Sequence, residues 1–241
     1  ILKVGVAAHK YGSTSTRLET FLTGLSKKMG YVGVFESTPV EIVFALKESK
    51  DSLQRIEYMA TPPPDTDLDK LARLGDLLNE IDAGTLSIND ADARIDAIDQ
   101  VPPPWGKFMS MLGYVLTGLG LAPLLGAGWT DTLFATLFSM LVYGLVLLSA
   151  RMGATAMSWM PLSTALITGF LATLVKHWVP ELNLVLVILS AVAIILPGFS
   201  ISLGAGELVA QHILSGMSNL INGLITLFKQ IAGAVIGIGI A

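Results

Sequence analysis

A five-span helical membrane bundle preceded by a small cytoplasmic α+β domain is the fold class the sequence predicts, and three observations predict it. Of the 241 residues 52% are hydrophobic and 14% charged, and the mean hydropathy of +0.66 is high for a soluble protein. Charge is segregated: residues 1–107 hold 12 of the 15 Lys and Arg and 16 of the 19 Asp and Glu. The apolar remainder divides into stretches suited to crossing a bilayer, so the chain is expected to have one part in water and one in lipid.

Residues 1–29 read as helix, with Leu2, Val6, Leu18, Phe21, Leu22, Leu25 and Met29 apolar, interrupted by Gly12-Ser13-Thr14-Ser15-Thr16 and ended by Gly30. Strands are expected at 31–36, 41–47 and 53–59, the last alternating Ile56 and Tyr58 with Arg55 and Glu57. After Pro62-Pro63-Pro64 a helix from about Asp67 carries Leu68, Leu71, Leu74, Leu77, Leu78 and Ile81 at helical spacing and stops at Gly84. Ser87 and Asp90 form a capping-box pattern for the next helix, whose Ala91, Ile95 and Ile98 share a face. These elements define a soluble α+β domain over 1–100, followed by a Pro-rich linker over 101–107.

The membrane domain then occupies 108–241, with spans at 108–125, 133–150, 162–175, 182–196 and about 220–240. Lys107 and Arg151 fall on the side of the soluble domain and Lys176 on the other, which favours a cytoplasmic soluble domain in a cell (inner) membrane. Ile1–Lys10 lacks the long apolar core and cleavage site of a signal peptide, and opening on Ile1 rather than Met leaves room for residues upstream.

The most informative stretch is 184–241. Leu196-Pro197-Gly198-Phe199 interrupts a hydrophobic span, since Pro removes an amide donor and Gly tolerates unusual backbone angles. Behind it one helix is expected from Gly206 to Ile240, on which Glu207, Gln211, Ser215, Ser218, Asn222 and Lys229 share a face. In lipid such a face turns toward a bundle interior or a wet cavity. One reading is a pathway through Pro197, Gly198, Ser200, Ser202, Glu207, Gln211, Ser215, Asn219 and Asn222. Glu207 is then a candidate proton or cation carrier, because shielding a carboxylate from water favours its protonated form. The other reading is helix packing, which Gly233-x-x-x-Gly237 fits, with Glu207 capping the start of the last helix.

Several chemistries are excluded or disfavoured. A net charge of −4 with mixed signs gives no footprint for nucleic acid, and the absence of cysteine removes disulfide and thiolate chemistry. There is no P-loop, nucleotide-binding glycine fingerprint or Gly-x-Ser-x-Gly elbow, and His9, His177 and His212 have no metal-ligand spacing. No enzyme activity, cofactor or metal is expected. The dense polar motif of the soluble part, Ser13, Ser15, Arg17 and Glu19, reads either as a small anion site using Arg17 or as a solvated helix with an Arg17 ion pair.

Gly12-Ser13-x-Ser15-x-Arg17-x-Glu19 on an early helix, Ser37-Thr38-Pro39 between strands, a helical hairpin, five spans and Leu196-Pro197-Gly198 before a long last helix resemble the threonine/serine exporter family. The resemblance covers nearly the whole chain, through the order and spacing of these motifs. It implies a secondary, ion-coupled exporter of small polar metabolites, with threonine and serine as substrates, in which a second membrane half is fused or supplied as a small subunit. It also implies an oligomeric assembly in the lipid bilayer. The alternatives it carries are dicarboxylate (succinate) export in the two-component branch and a membrane-tethered hydrolase-like domain. One position departs from the family pattern: where a basic residue commonly follows the Ser-Gly of the last helix, this chain has Asn219 after Ser215-Gly216. With only Arg151, Lys176 and Lys229 as bases beyond residue 107, a zwitterion suits the path better than a dianion.

Overall fold

The computed structural model describes residues 1–49, 51–61 and 67–241, and the Pro62-Pro63-Pro64 stretch lies outside the described residues. The chain forms two compact units, one of 1–104 with 200–221 and the other of 105–199 with 222–241.

In the first unit, α1 (Leu2–Lys10) and α2 (Ser15–Lys28) precede an antiparallel sheet of β1 (Val32–Thr38), β2 (Glu41–Lys47) and β3 (Arg55–Ala60) in the order β1-β2-β3. The β1–β2 register places Phe35 opposite Phe44 and Ser37 opposite Ile42. Alternation sends Phe35, Ile42 and Phe44 to one face, where they bury with Val4, Ala7, Leu18, Leu22 and Leu25 of the first two helices. Gly5 permits this approach, since a Cβ there would stand 2.8 Å from the Phe44 ring. The hairpin of α3 (Leu68–Asp82) and α4 (Ile88–Asp99) closes the core with Leu74, Leu77, Ile95 and Ile98. Its second helix starts as the sequence predicts, with Ser87 Oγ accepting from the Asp90 amide at 3.2 Å.

Polar contacts tie α1 to α4 around the rim. Lys3 Nζ reaches Asp96 at 2.8 Å and Lys10 Nζ reaches Asp99 at 2.6 Å. Lys10 holds the Asp99 carboxyl below its usual range, and burial beside that carboxylate pushes the Tyr11 hydroxyl up to about 12.

In the second unit, α5 (Lys107–Leu124), α6 (Trp129–Met152), α7 (Ala154–Trp178) and α8 (Leu184–Val192) follow one another, and α8 runs into a 3₁₀ turn at Ala193–Ile195. Two further helices are shared between the units: α9 (Gly198–Val209) and α10 (Ile213–Ile240). Among the described residues four helices, α5, α6, α7 and α10, are individually long and apolar enough to cross a membrane. Leu184–Ile195 and Gly198–Val209 make a fifth span only if the pair, bent by 64°, is counted as one. The fold is that of a helical membrane protein with four or five candidate spans among the described residues, against the five read from sequence.

The helices of this unit pack through small residues. A Cβ on Gly169 would stand 2.8 Å from Ala234 O, and one on Gly233 or Gly237 would collide with the carbonyls of Leu162 and Leu166, so α10 lies backbone to backbone against α7. Gly118 and Ser139 let α5 and α6 meet in the same way. The turn between α7 and α8 is fixed by Asp131, which accepts from the Asn183 amide at 2.7 Å, and by Lys176 Nζ, which donates to Leu182 O at 2.8 Å.

One expectation is corrected here. The helix expected from Gly206 to Ile240 is interrupted at 210–212. His212 N donates to Glu207 O at 2.9 Å and Gln211 N to Leu208 O at 3.1 Å, a Schellman closure with Gln211 in the left-handed region at φ 69°. Nothing in the side-chain pattern signals it, because this closure usually uses Gly or Asn.

Candidate functional site

Because the chain reverses at Gln211, α9 and the start of α10 lie side by side. Gly204 and Gly216 let the backbones touch: a Cβ on Gly204 would stand 2.6 Å from Leu220 N, and one on Gly216 2.8 Å from Leu208 N. The reversal turns a one-sided stripe into a facing set. Glu207 near the end of α9 now looks across at Ser215 and Asn219 near the start of α10.

The Glu207 side chain is only 4% exposed, and three donors saturate it. Ser215 Oγ and Asn219 Nδ2 each donate to Oε2 at 2.8 Å, and the backbone amide of Ser15 donates to Oε1 at 3.1 Å. Ser15 Oγ donates in turn to Ser215 Oγ at 2.8 Å. Ser15 is the first residue of α2, so the carboxylate occupies the place where a helix leaves amides unpaired and its dipole favours negative charge. Where the alternative reading has Glu207 capping the last helix, its carboxylate accepts at the start of a helix some 190 positions earlier in the chain. Among the described residues no cationic side chain pairs with Glu207.

Glu19, one turn further along α2, ties that helix to the sheet and faces the start of the hairpin's second helix. Its Oε1 accepts from the Ser37 amide at 3.0 Å and its Oε2 lies 3.5 Å from His212 Nδ1. Burial raises the Glu19 carboxyl above its ordinary range, opposed by the Ser37 amide and by His212. Ser37 Oγ lies 3.4 Å from His9 Nδ1, and His9 Nε2 lies 3.3 Å from Pro39 O, so the Ser37-Thr38-Pro39 corner is held from inside. Thr14 caps α2 by accepting from the Arg17 amide at 3.3 Å.

The residues singled out from sequence separate into groups. Ser15, Glu207, Ser215 and Asn219 converge on one network, and Glu19 bonds separately to Ser37 and faces His212. Arg17 is exposed, and no carboxylate pairs with it among the described residues; with Ser13 it borders a cavity of about 210 Å³ against Leu71, Leu74 and Leu78. The side chains of Ser200, Ser202, Gln211 and Asn222 make no hydrogen bond among the described residues. Pro197 and Gly198 belong to the second unit, at the 64° break.

Sequence reasoning missed the residue that serves this break. Gln230, 3% exposed on α10, donates from Nε2 to Ile195 O at 2.7 Å, satisfying a carbonyl that the broken span leaves open. Its signal was a lone amide off the polar stripe, one turn on from Thr226. Lys229 beside it lies over the Trp159 ring at 5.2 Å and donates to Ser158 O at 2.9 Å, an anchor rather than a pathway charge. Among the described residues no cluster of His, Asp and Glu could hold a metal ion.

A family model described as "Putative threonine/serine exporter" matches residues 1–241, the whole chain. The chain belongs to the threonine/serine exporter family. This exporter-family chain is 34% identical over 71 residues to the "Threonine/serine exporter" of Corynebacterium glutamicum, a match covering 30% of the chain and 14% of that protein. It is 23% identical over 173 residues to the "Probable threonine/serine exporter" of Mycobacterium tuberculosis (strain ATCC 25618 / H37Rv), covering 72% of the chain and 32% of that protein. The chain therefore spans less than a third of the length of these relatives in either match. No solved structure matches it. Family and apolar helices together make it an integral membrane protein.

Proposed function

We propose that the chain is one membrane half of a secondary, ion-coupled exporter of small polar metabolites, with threonine and serine as substrates. The observation that carries this reading is the family match over all 241 residues. A second membrane half, fused or separate, completes the path, and the soluble α+β domain faces the cytoplasm. Pro197, Gly198, Ser200, Ser202, Gln211 and Asn222 line the route, and Glu207 with Ser215 and Asn219 forms its ionisable station.

The chemistry of that station supports a proton-linked role. Three neutral donors hold one carboxylate out of water, and no fixed cation locks it in the ionised state. Loading a proton weakens the bonds from Ser15, Ser215 and Asn219 together, because hydrogen bonds to a charged acceptor are roughly twice as strong as neutral ones. Protonation is thereby coupled to the contact between α2 and the α9–α10 hairpin.

The test is threonine and serine efflux from cells expressing the full-length protein with its second half, over a series of external pH. Glu207→Gln keeps size and polarity but cannot ionise. Efflux is expected to collapse, or to lose its pH dependence, while the protein still reaches the membrane. Unchanged efflux across the series removes the carrier role, and no efflux of either amino acid by the native protein removes the substrate assignment.

A further inference from the structure

Between α2 and α3 the first unit holds a cavity of about 210 Å³ whose border shares no residue with the Glu207 network. Ser13, Arg17 and Phe21 line it from the α2 side, and Leu74, Gly75 and Leu78 line it from α3, where their spacing puts them on one helix face. Gly75 stands at the middle of α3, where glycine costs more helix stability than any residue but proline. Close packing does not call for it, because a Cβ there would meet nothing within 4 Å. The glycine keeps open a space that a larger side chain would take.

The border carries donors that the fold leaves unused. Arg17 is its charged residue, and no acid lies on it among the described residues. Glu19 of the same motif cannot answer Arg17: two positions on, it lies about 200° around the helix, and it is committed to the Ser37 amide at 3.0 Å. Ser13 Oγ reaches only Thr14 O at 3.5 Å, the outer limit of a hydrogen bond. Asn79, also on the border, makes no side-chain hydrogen bond among the described residues. Apolar walls thus meet a guanidinium, a hydroxyl and a carboxamide at one cavity.

We propose that this cavity is a binding site for a small aliphatic carboxylate, with Arg17 taking the carboxylate and a tail of a few carbons lying against Leu74, Gly75 and Leu78. One cation without an acid beside it suits a monoanion, and the planar guanidinium takes a carboxylate through two parallel bonds. Inorganic phosphate would gain nothing from leucine walls. The volume falls short of the ~300 Å³ at which drug-sized sites begin, so the ligand is small. The proposal goes beyond the exporter reading and stands without it, since no residue assigned to the route or to its ionisable station borders the cavity.

The test is calorimetric titration of the purified full-length protein with 4-methylpentanoate, with its uncharged amide, with acetate and with inorganic phosphate. Saturable binding of 4-methylpentanoate is expected, with the amide and acetate each weaker by about tenfold or more, the first for want of charge and the second for want of a tail. Arg17→Gln should weaken 4-methylpentanoate about tenfold, and Arg17→Lys, which keeps the charge but not the fork, should restore part of that loss. Gly75→Leu should abolish binding while the helical circular-dichroism spectrum and the melting temperature are kept, because a Cβ at this position meets nothing. No binding of 4-methylpentanoate, acetate or phosphate binding as tightly as it does, or an affinity unchanged in Arg17→Gln and Gly75→Leu, overturns the proposal. Because binding is read without transport, a failure here is distinct from a failure of efflux.

Discussion

The buried polar groups around Glu207 in the first unit and those of Thr168, Ser190 and Gln230 in the second are treated in opposite ways. Around Glu207 every strong acceptor is met: amide, hydroxyl and carboxamide converge on one carboxylate, and Ser15 closes the ring through Ser215. Within the second unit Thr168, Ser190 and Gln230 are equally buried, and each keeps one oxygen open. A saturated network fixes the elements that supply it, here α2, α9 and α10. An open one costs stability, because each buried polar atom without a partner keeps its desolvation penalty. Substitutions in the two places should therefore behave differently.

The largest effect is expected at Glu207. Glu207→Ala takes the acceptor from the buried Ser15 amide and Ser215 hydroxyl and from the half-buried Asn219 amide, and should destabilise the first unit by about 3 kcal/mol, read as a drop in the denaturation midpoint. A change under about 1 kcal/mol would mean that the network is not held as the geometry has it.

Next comes a contrast inside the second unit. Gln230→Leu removes the donor to Ile195 O and leaves a carbonyl bare at the broken span, at a cost of about 1–3 kcal/mol. Ser190→Ala removes an oxygen that bonds nothing in the protein among the described residues, so it should be neutral or stabilising by about 1 kcal/mol. Equal losses in both variants would erase the distinction between met and unmet groups.

A smaller, pH-dependent effect belongs to Glu19. Its carboxyl is raised in the fold, chiefly by burial, with Glu36 and Glu207 adding to the rise while Ser37 and His212 oppose it. A carboxyl raised in this way supports the folded state while protonated, and that support is lost as pH climbs through its folded value. Glu19→Gln cannot ionise yet still accepts from Ser37. Its stability relative to the native protein should rise as pH climbs above the ordinary carboxyl range of about 4, measured by thermal unfolding over a pH series. The reverse slope would show that the charged form is the one the fold prefers.

The smallest expected effect is at the turn that creates the facing set. Gln211 sits at φ 69° without the freedom of glycine, so Gln211→Gly should stabilise the hairpin by about 1 kcal/mol. A loss of stability would place the value of Gln211 in its side chain.

Much of the fold was legible because local rules agree with it. Asp67 and Ser87 cap α3 and α4 where the pattern puts caps, and the three strands lie where alternation ends in turns. The broken span was legible from Pro197-Gly198 alone. What could not be read was the pairing of Ser15 with Glu207, because each lies in a motif that makes sense locally and only the reversal at Gln211 brings them together. The same reversal explains why a stripe with helical spacing on both sides of 210–212 looked like one helix. Gln230 was hidden for another reason: its partner is a carbonyl, which every residue has.

The central claim is that α2 is joined to the α9–α10 hairpin at Glu207, and the absence of native cysteine allows it to be tested directly. Ser15 and Ser215 have their hydroxyl oxygens 2.8 Å apart, within reach of a cross-link between cysteines at the same positions. In membranes containing full-length protein with Ser15→Cys and Ser215→Cys, mild oxidation should give a linked peptide pair by mass spectrometry, whereas Thr20→Cys with Ser215→Cys should give none. Linkage absent from the first pair, or equal in both, would contradict the account.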